Sequence, residues 1–123
     1  MQNPLLTILS QPSRTLAPRS APYDVDLTRL VVAAKAEGVF LEITADPARL
    51  DVGDLECRQA KEAGVLLSLS SEARSAQELS NVRYAVFQAR RGWLEASDVL
   101  NTRPFGELGS LLRRRRRAQR HPA

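Results

Sequence analysis

The sequence contains the same helix-to-strand junction twice, 26 residues apart. Residues 37–43 read EGVFLEI and residues 63–69 read AGVLLSL, so that Gly38 aligns with Gly64. Each glycine stands where a helix commonly ends on a left-handed residue, and each is followed at once by a short apolar run typical of a strand. Helices and strands that alternate at such a period predict βα units with a parallel sheet. The predicted fold class is therefore α/β.

Three successive βα units fit the chain, with parallel strands at residues 5–9, 39–43 and 65–69. The strand runs are nearly continuous in apolar residues, as is typical of strands covered on both faces. The chain is 43% apolar and 26% charged, which indicates one compact domain. A closed barrel normally needs about seven or eight strands. We therefore expect an incomplete unit with one edge or face of the sheet exposed.

Apolar spacing and polar capping residues predict the helices that follow these strands. A short fourth helix is predicted at residues 105–112, after the third helix ends at Gly92. The expected helix starts are Asp24 or Asp26 for the first helix, Asp51 or Asp54 for the second and Ser75 for the third. The residues expected to face the core are Leu27, Leu30, Val31 and Ala34 in the first helix and Leu79, Val82, Val86 and Ala89 in the third.

The positive charge is concentrated at the carboxyl end. The last eleven residues hold six arginines, Arg113, Arg114, Arg115, Arg116, Arg117 and Arg120. Without them, 12 basic residues stand against 14 acidic ones, which argues against a nucleic-acid-binding surface on the rest of the chain. We divide the chain into a partial βα domain at residues 1–112 and a basic, disordered tail at residues 113–123. Any contact with DNA or another polyanion is expected at this tail, and the alternative, which we favour, is a solvated terminus without a binding role.

Few residues of the chain are suited to hold a metal. Cys57, the only cysteine, is expected to pack in a helix as a small apolar residue, and His121 is the only histidine. This pair cannot form a typical zinc, di-manganese or di-iron site, so no cofactor is expected. The apolar runs are far shorter than the roughly 20 residues that span a bilayer, and no secretory signal is visible. We expect a cytoplasmic chain without membrane contact.

Two residues have both a functional and a structural interpretation. Glu42 points to the opposite sheet face from its apolar neighbours. It is either an acid inside a barrel near a site or, as we favour, a carboxylate hydrogen-bonded to a loop. Trp93 follows two arginines and is either part of an aromatic and basic nucleic-acid platform or, as we favour, a closure of the core beneath the third helix.

Five segments carry a resemblance to a known family: TILSQPSR at residues 7–14, PYDVDL at 22–27, GVFLEITADPARLDV at 38–52, SSEARS at 70–75 and ARRGWLEASDVLNT at 89–102. In order and spacing they resemble the last third of the PHP domain (polymerase and histidinol phosphatase) of bacterial family X DNA polymerases. The likeness extends over residues 5–112. Because that domain is a distorted (βα)7 barrel, the resemblance implies that the chain corresponds to the carboxyl-terminal part of such a barrel.

The resemblance also implies a catalytic site whose ligands this chain has replaced. In that family, His and Asp at the strand ends hold divalent metals such as manganese or zinc for phosphoester hydrolysis, including 3′-5′ exonuclease activity in DNA repair. The family's His-Pro motif falls at Gln11-Pro12, and its Asp-x-His pair falls at Glu72-Ala73-Arg74. An amide, a longer carboxylate and a permanent cation thus stand at ligand positions, and the arginine opposes metal binding by its charge.

The resulting hypothesis is a truncated, degenerate and catalytically inactive PHP remnant, in which an ion pair between Glu72 and Arg74 takes the place of the metals. Three alternatives remain open. The chain is half of a split phosphoesterase, completed by a partner that carries the amino-terminal half of the barrel, or it pairs with a second copy of itself to cover the exposed edge. Alternatively, it is a nucleic-acid-binding module that acts through its arginine tail.

Overall fold

A three-stranded parallel sheet organises the chain. The computed structural model describes residues 3, 5–12, 25–47 and 52–120, with the backbone alone for residues 114–120. Strand β1 (Ile8–Leu9) pairs with β2 (Phe40–Thr44), and β2 pairs with β3 (Leu67–Ser70), in the order β1-β2-β3. The predicted α/β class and the parallel strands are confirmed.

Four α-helices lie within the described residues: α1 (Leu27–Glu37), α2 (Asp54–Ala63), α3 (Val82–Arg91) and α4 (Phe105–Arg120). Asp26 caps α1, because its side chain accepts a hydrogen bond from the N–H of Arg29 at 3.0 Å. Helix α2 begins at Asp54, directly after Gly53. The other two candidates for helix starts, Asp24 and Asp51, lie outside the described residues. In the described residues, no helix is long and apolar enough to cross a membrane.

The repeated junction ends both helices in the same way. Gly38 and Gly64 adopt left-handed φ angles of 62° and 71°. The next residue then donates its N–H back into the helix, from Val39 to Ala34 O at 2.9 Å and from Val65 to Ala60 O at 2.8 Å. This is the Schellman arrangement that satisfies the last helical carbonyls. Because these N–H groups are bound to the helix, β2 and β3 begin one and two residues later than predicted.

The core lies between one face of the sheet and the first three helices. Leu41, Ile43 and Leu67 are at most 1% exposed on that face. They pack with Val31 and Ala34 of α1, Cys57 and Ala60 of α2, and Ala85 and Ala89 of α3. The burial of Val31, Ala34 and Cys57 is therefore as predicted, and Leu30 packs against this core, whereas Leu27 is half-buried and lies outside it. Side chains on the opposite face are mostly polar and include Glu42, Thr44, Ser68 and Ser70.

The prediction for the third helix was wrong at three of four positions, since Leu79, Val82 and Val86 are exposed and only Ala89 is buried. Leu79 lies in a 3₁₀ segment, Gln77–Asn81, which precedes α3 and has about three residues per turn, so it is out of phase with the α-helix. Within α3 the small residues Ala85 and Ala89 face the core, and Val82 and Val86 lie to one side of them. Ser75 still caps the segment, because its Oγ accepts the N–H of Glu78 at 3.4 Å.

Helix α4 continues to Arg120, whereas we expected it to end at residue 112. Arginine has a high helix propensity, so the run of arginines does not interrupt the helix. The division of the chain into residues 1–112 and 113–123 stays a prediction.

The outer edge of β3 is covered by a side chain. The amide of Asn101 accepts the N–H of Leu69 and donates to the carbonyl of Leu69, both at 3.0 Å. Two residues earlier, Leu67 forms a parallel bridge with Val99. Asn101 therefore satisfies the groups that a further strand would bind, whereas β1 lies at the other edge of the sheet.

Candidate site at the carboxyl end of the sheet

Two of the ligand positions inferred from the resemblance contact each other. Gln11 follows β1 and Glu72 follows β3, 61 residues later in the sequence. The Gln11 Nε2 donates to Glu72 Oε1 at 2.6 Å, and the pair is partly buried. Because β2 lies between the two outer strands, this hydrogen bond joins the loops on both sides of the central strand at its carboxyl end.

Both residues have a backbone conformation that is rare for side chains other than glycine. The φ angle is 48° at Gln11 and 49° at Glu72. Each such conformation destabilises the fold by about 1–3 kcal/mol and persists only where surrounding contacts hold the backbone in place. On the Glu72 side, hydroxyls fix the turn: the N–H of Glu72 donates to Ser70 Oγ at 3.2 Å, and that of Ala73 donates to Ser71 Oγ at 3.3 Å. The turn at Glu72 is thus held by short-range hydrogen bonds.

Arg74 does not take part in the pair. Its side chain is exposed, and its backbone N–H donates to Glu78 Oε2 at 2.7 Å. The expected ion pair between Glu72 and Arg74 was wrong, because the Glu72 carboxylate is bound by Gln11 and the guanidinium of Arg74 lies in solvent. Of the three ligand positions, the structure brings Gln11 and Glu72 together and leaves Arg74 apart.

Thr44 ends the central strand and was not anticipated from the sequence. It is fully buried, and among the described residues its hydroxyl has no hydrogen-bond partner. A buried hydroxyl without a partner costs about 1–3 kcal/mol. Glu42, on the same face, is half-buried, and no described residue hydrogen-bonds to its carboxylate. Residues 13–24 and 48–51 lie outside the described residues, so the loop contact that we favoured stays a prediction.

The donor set does not suit a divalent metal cluster. The described part of the chain contains no group of three or more His, Cys, Asp or Glu side chains that could hold a metal ion. At the ligand positions there is one carboxylate, one amide whose NH₂ is directed at it, and one exposed guanidinium. His121 lies outside the described residues.

Trp93 does not close the core, contrary to the interpretation that we favoured. It is 67% exposed and has a left-handed φ of 61°, and the next residue, Leu94, packs against the core instead. The Arg58 guanidinium lies 4.6 Å from the centre of its ring. Of the two arginines in the alternative nucleic-acid platform, Arg91 pairs with Asp54 at 3.3 Å and Arg90 is exposed, so that alternative stays a prediction.

The basic run is described only in part. Arg113 is exposed, and its guanidinium contacts Ser110 Oγ at 3.4 Å. The side chains of Arg114, Arg115, Arg116, Arg117 and Arg120 lie outside the described residues, so their predicted contact with nucleic acid stays a prediction.

Comparison with known proteins supports a relationship to family X polymerases. The chain is 32% identical over 114 residues to the DNA polymerase/3'-5' exonuclease PolX of Bacillus subtilis strain 168. The match covers 93% of this chain and 20% of that relative, so the chain spans about one fifth of its length. No protein-family model matches the chain.

Proposed function

We propose that this chain corresponds to the carboxyl-terminal part of a PHP-type barrel and that it keeps the scaffold of a phosphoesterase site without its catalytic activity. The observation that carries the proposal is the hydrogen bond between Gln11 and Glu72. It joins two positions at which the family that the chain resembles has metal ligands. The similarity to a region of a polymerase with exonuclease activity supports the same origin.

The residue types at these positions argue against retained chemistry. An amide NH₂ group donates hydrogen bonds and offers no lone pair to a cation, and the pair with Glu72 directs this group of Gln11 inward. A guanidinium carries a permanent positive charge, so Arg74 opposes any cation near it. The carboxylate of Glu72 already accepts a hydrogen bond from Gln11. At these three positions the chain therefore offers one carboxylate in place of the imidazole and aspartate ligands that the resemblance implies.

The backbone around the pair supports a retained scaffold. Gln11 and Glu72 both keep left-handed conformations, although neither is glycine. Residues in such conformations cluster at functional sites. The hydrogen bond from Gln11 to Glu72 joins the loops after β1 and β3, as shared metals would in the family's site. On this proposal, a direct polar contact has replaced metal-mediated contact between the two loops.

The purified chain is expected to show neither manganese-dependent hydrolysis of a chromogenic phosphodiester nor manganese binding in a calorimetric titration. The reason is the loss of imidazole and aspartate ligands at residues 11, 72 and 74. A double variant, Gln11→His with Arg74→His, provides the matched control and is expected to bind manganese or zinc more tightly than the wild type. Hydrolysis by the wild type that a chelator abolishes and that Glu72→Ala removes would overturn the proposal.

The split-enzyme alternative is favoured by one feature, the position of β1 at the edge of the sheet. An edge strand exposes backbone groups that another strand can bind. A partner would have to supply the metal ligands apart from Glu72, because Gln11 and Arg74 would remain in the completed barrel. Co-purification of a partner chain with bound metal and chelator-sensitive hydrolysis would favour this alternative over an inactive scaffold.

The basic helix end favours nucleic-acid binding as a second function. Helix α4 is continuous to Arg120 and carries all six tail arginines with Glu107 as its only acid. If all six contact phosphates of duplex DNA, the binding constant is expected to fall with a log–log salt slope of about −5. Fluorescence anisotropy with a labelled duplex at several salt concentrations measures this slope. Deletion of residues 113–123 should abolish binding, and affinity that survives the deletion would refute the role of the tail.

A further inference from the structure

Helix α3 carries an apolar stripe that no described segment of the chain covers. Leu79, Val82 and Val86 are 61%, 40% and 38% exposed, and the neighbouring Phe87 is 55% exposed. Val82 and Val86 are one turn apart on α3, and Leu79 lies one turn before them in the 3₁₀ segment that leads into the helix. Exposed apolar patches of this kind mark interaction sites on soluble proteins. We call these four residues, together with Arg83 and Arg90, the α3 surface.

The stripe lies on the flank of α3 that faces away from α2. On the side near α2, Arg91 pairs with Asp54 at 3.3 Å, and Gly92 packs against Cys57. Ala85 and Ala89 face the sheet. Val82 and Val86 are therefore turned outward, at the flank beside which another helix would pack. Side chains at this spacing form the ridges by which two helices interdigitate.

The charges on helix α3 beside the stripe have one sign. Helix α3 has no acidic residue, and Arg83 and Arg90 flank the stripe. The guanidinium of Arg83 lies 4.9 Å from the Tyr84 ring centre and donates to the Tyr84 hydroxyl at 3.1 Å. Arg90 is exposed and makes no ion pair with a described residue. Glu78, at the start of the stripe, has its carboxylate bound to the backbone N–H of Arg74.

We infer that the α3 surface binds an amphipathic helix of another protein, with an apolar ridge flanked by Asp or Glu. The apolar stripe fits a helix ridge, and the two arginines complement acidic flanks. A second copy of α4 fits poorly: it has apolar residues at Leu108, Leu111 and Leu112, but the arginines that follow would repel Arg83 and Arg90. This inference concerns the outer helix layer and is independent of the proposed loss of catalysis.

Two synthetic helical peptides test the inference on the full chain in metal-free buffer. Both carry leucines along one face, one with glutamates beside them and the other with lysines. The glutamate peptide is expected to bind at least about tenfold more tightly in a fluorescence anisotropy titration. Arg83→Glu combined with Arg90→Glu should reverse this preference. The matched control Arg29→Glu, at an exposed position of α1, should leave it unchanged.

A second variant separates the apolar contribution from the charge contribution. Leu79→Ser with Val86→Ser should weaken the binding of both peptides, and circular dichroism establishes that the variant is folded. Absence of binding by either peptide, or equal affinities that the arginine variants do not change, would overturn the inference. It would also be overturned if a single-stranded oligonucleotide displaced the glutamate peptide, or if sedimentation showed a homodimer that the serine variant dissociates.

Discussion

Replacing Gly92 by alanine is expected to destabilise the chain by about 1–3 kcal/mol, because α3 approaches α2 too closely at this point for a side chain. A Cβ atom at Gly92 would lie closer to the Cβ of Cys57 than real Cβ atoms come to one another, and 3.0 Å from the carbonyl oxygen of Asp54. Neither neighbour is the end of a flexible side chain, so one of the helices must shift. The φ angle of Gly92 is −80°, which any residue can adopt. Glycine is therefore needed here because there is no space for a side chain, and not because of the backbone conformation.

Urea denaturation of the wild type and the two glycine variants measures the effect. Gly106→Ala is the matched control, since a Cβ there meets nothing within 4 Å and Gly106 lies in α4. It is expected to leave the stability unchanged or to raise it by up to about 1 kcal/mol through helix propensity. An unchanged unfolding midpoint for Gly92→Ala would contradict the close approach of α2 and α3.

The thiol of Cys57 is expected to react with an alkylating reagent about a thousandfold more slowly in the folded chain than in the unfolded chain. Burial in the core raises the pKa of Cys57 from 9.0 to about 12, and the charges of Glu56 and Asp54 add to this effect. Only the thiolate is a nucleophile, and the folded chain contains far less of it at neutral pH. Labelling rates with and without urea provide the measurement. Rapid labelling under native conditions would show that Cys57 is accessible.

The same pKa shift predicts a loss of stability at high pH. In the unfolded chain the thiol ionises near pH 9, whereas in the folded chain it stays protonated until about pH 12. The stabilising contribution is therefore complete below pH 9 and is lost progressively between these two values. Cys57→Ala removes this contribution, so the difference between its unfolding free energy and that of the wild type should change over this interval. A constant difference would contradict the shifted pKa.

The sequence was informative wherever a local rule determined the structure. The repeated glycine junction gave the parallel strands, because a left-handed residue must end each helix before the next strand begins. Asp26 was a correct candidate for the first cap, since capping depends on neighbouring residues alone. The third helix was mispredicted because its larger apolar residues, Val82 and Val86, were expected to face the core, where the small residues Ala85 and Ala89 pack instead. Trp93 was mispredicted because a left-handed tryptophan cannot be anticipated from residue type.

The site could be located from the resemblance, but its contacts could not be deduced. Gln11 and Glu72 were identified as ligand positions, yet their hydrogen bond joins residues 61 positions apart and depends on the strand order. The pairing of Glu72 with Gln11 in place of Arg74 depends on side-chain directions that no sequence pattern reports. Thr44 went unnoticed because a threonine at the end of a strand is unremarkable until its burial is known.

The amide of Asn101 also limits how copies of this chain can assemble. Open fibres require each copy to offer two complementary edges, so that one copy after another can be added. With Leu69 already bound at the β3 edge, the β1 edge is the one in the described part of the sheet whose outer side has no paired strand. Pairing of two β1 edges would join identical surfaces and would stop at a dimer. Asn101 thus makes the β3 edge a poor site for the addition of further copies.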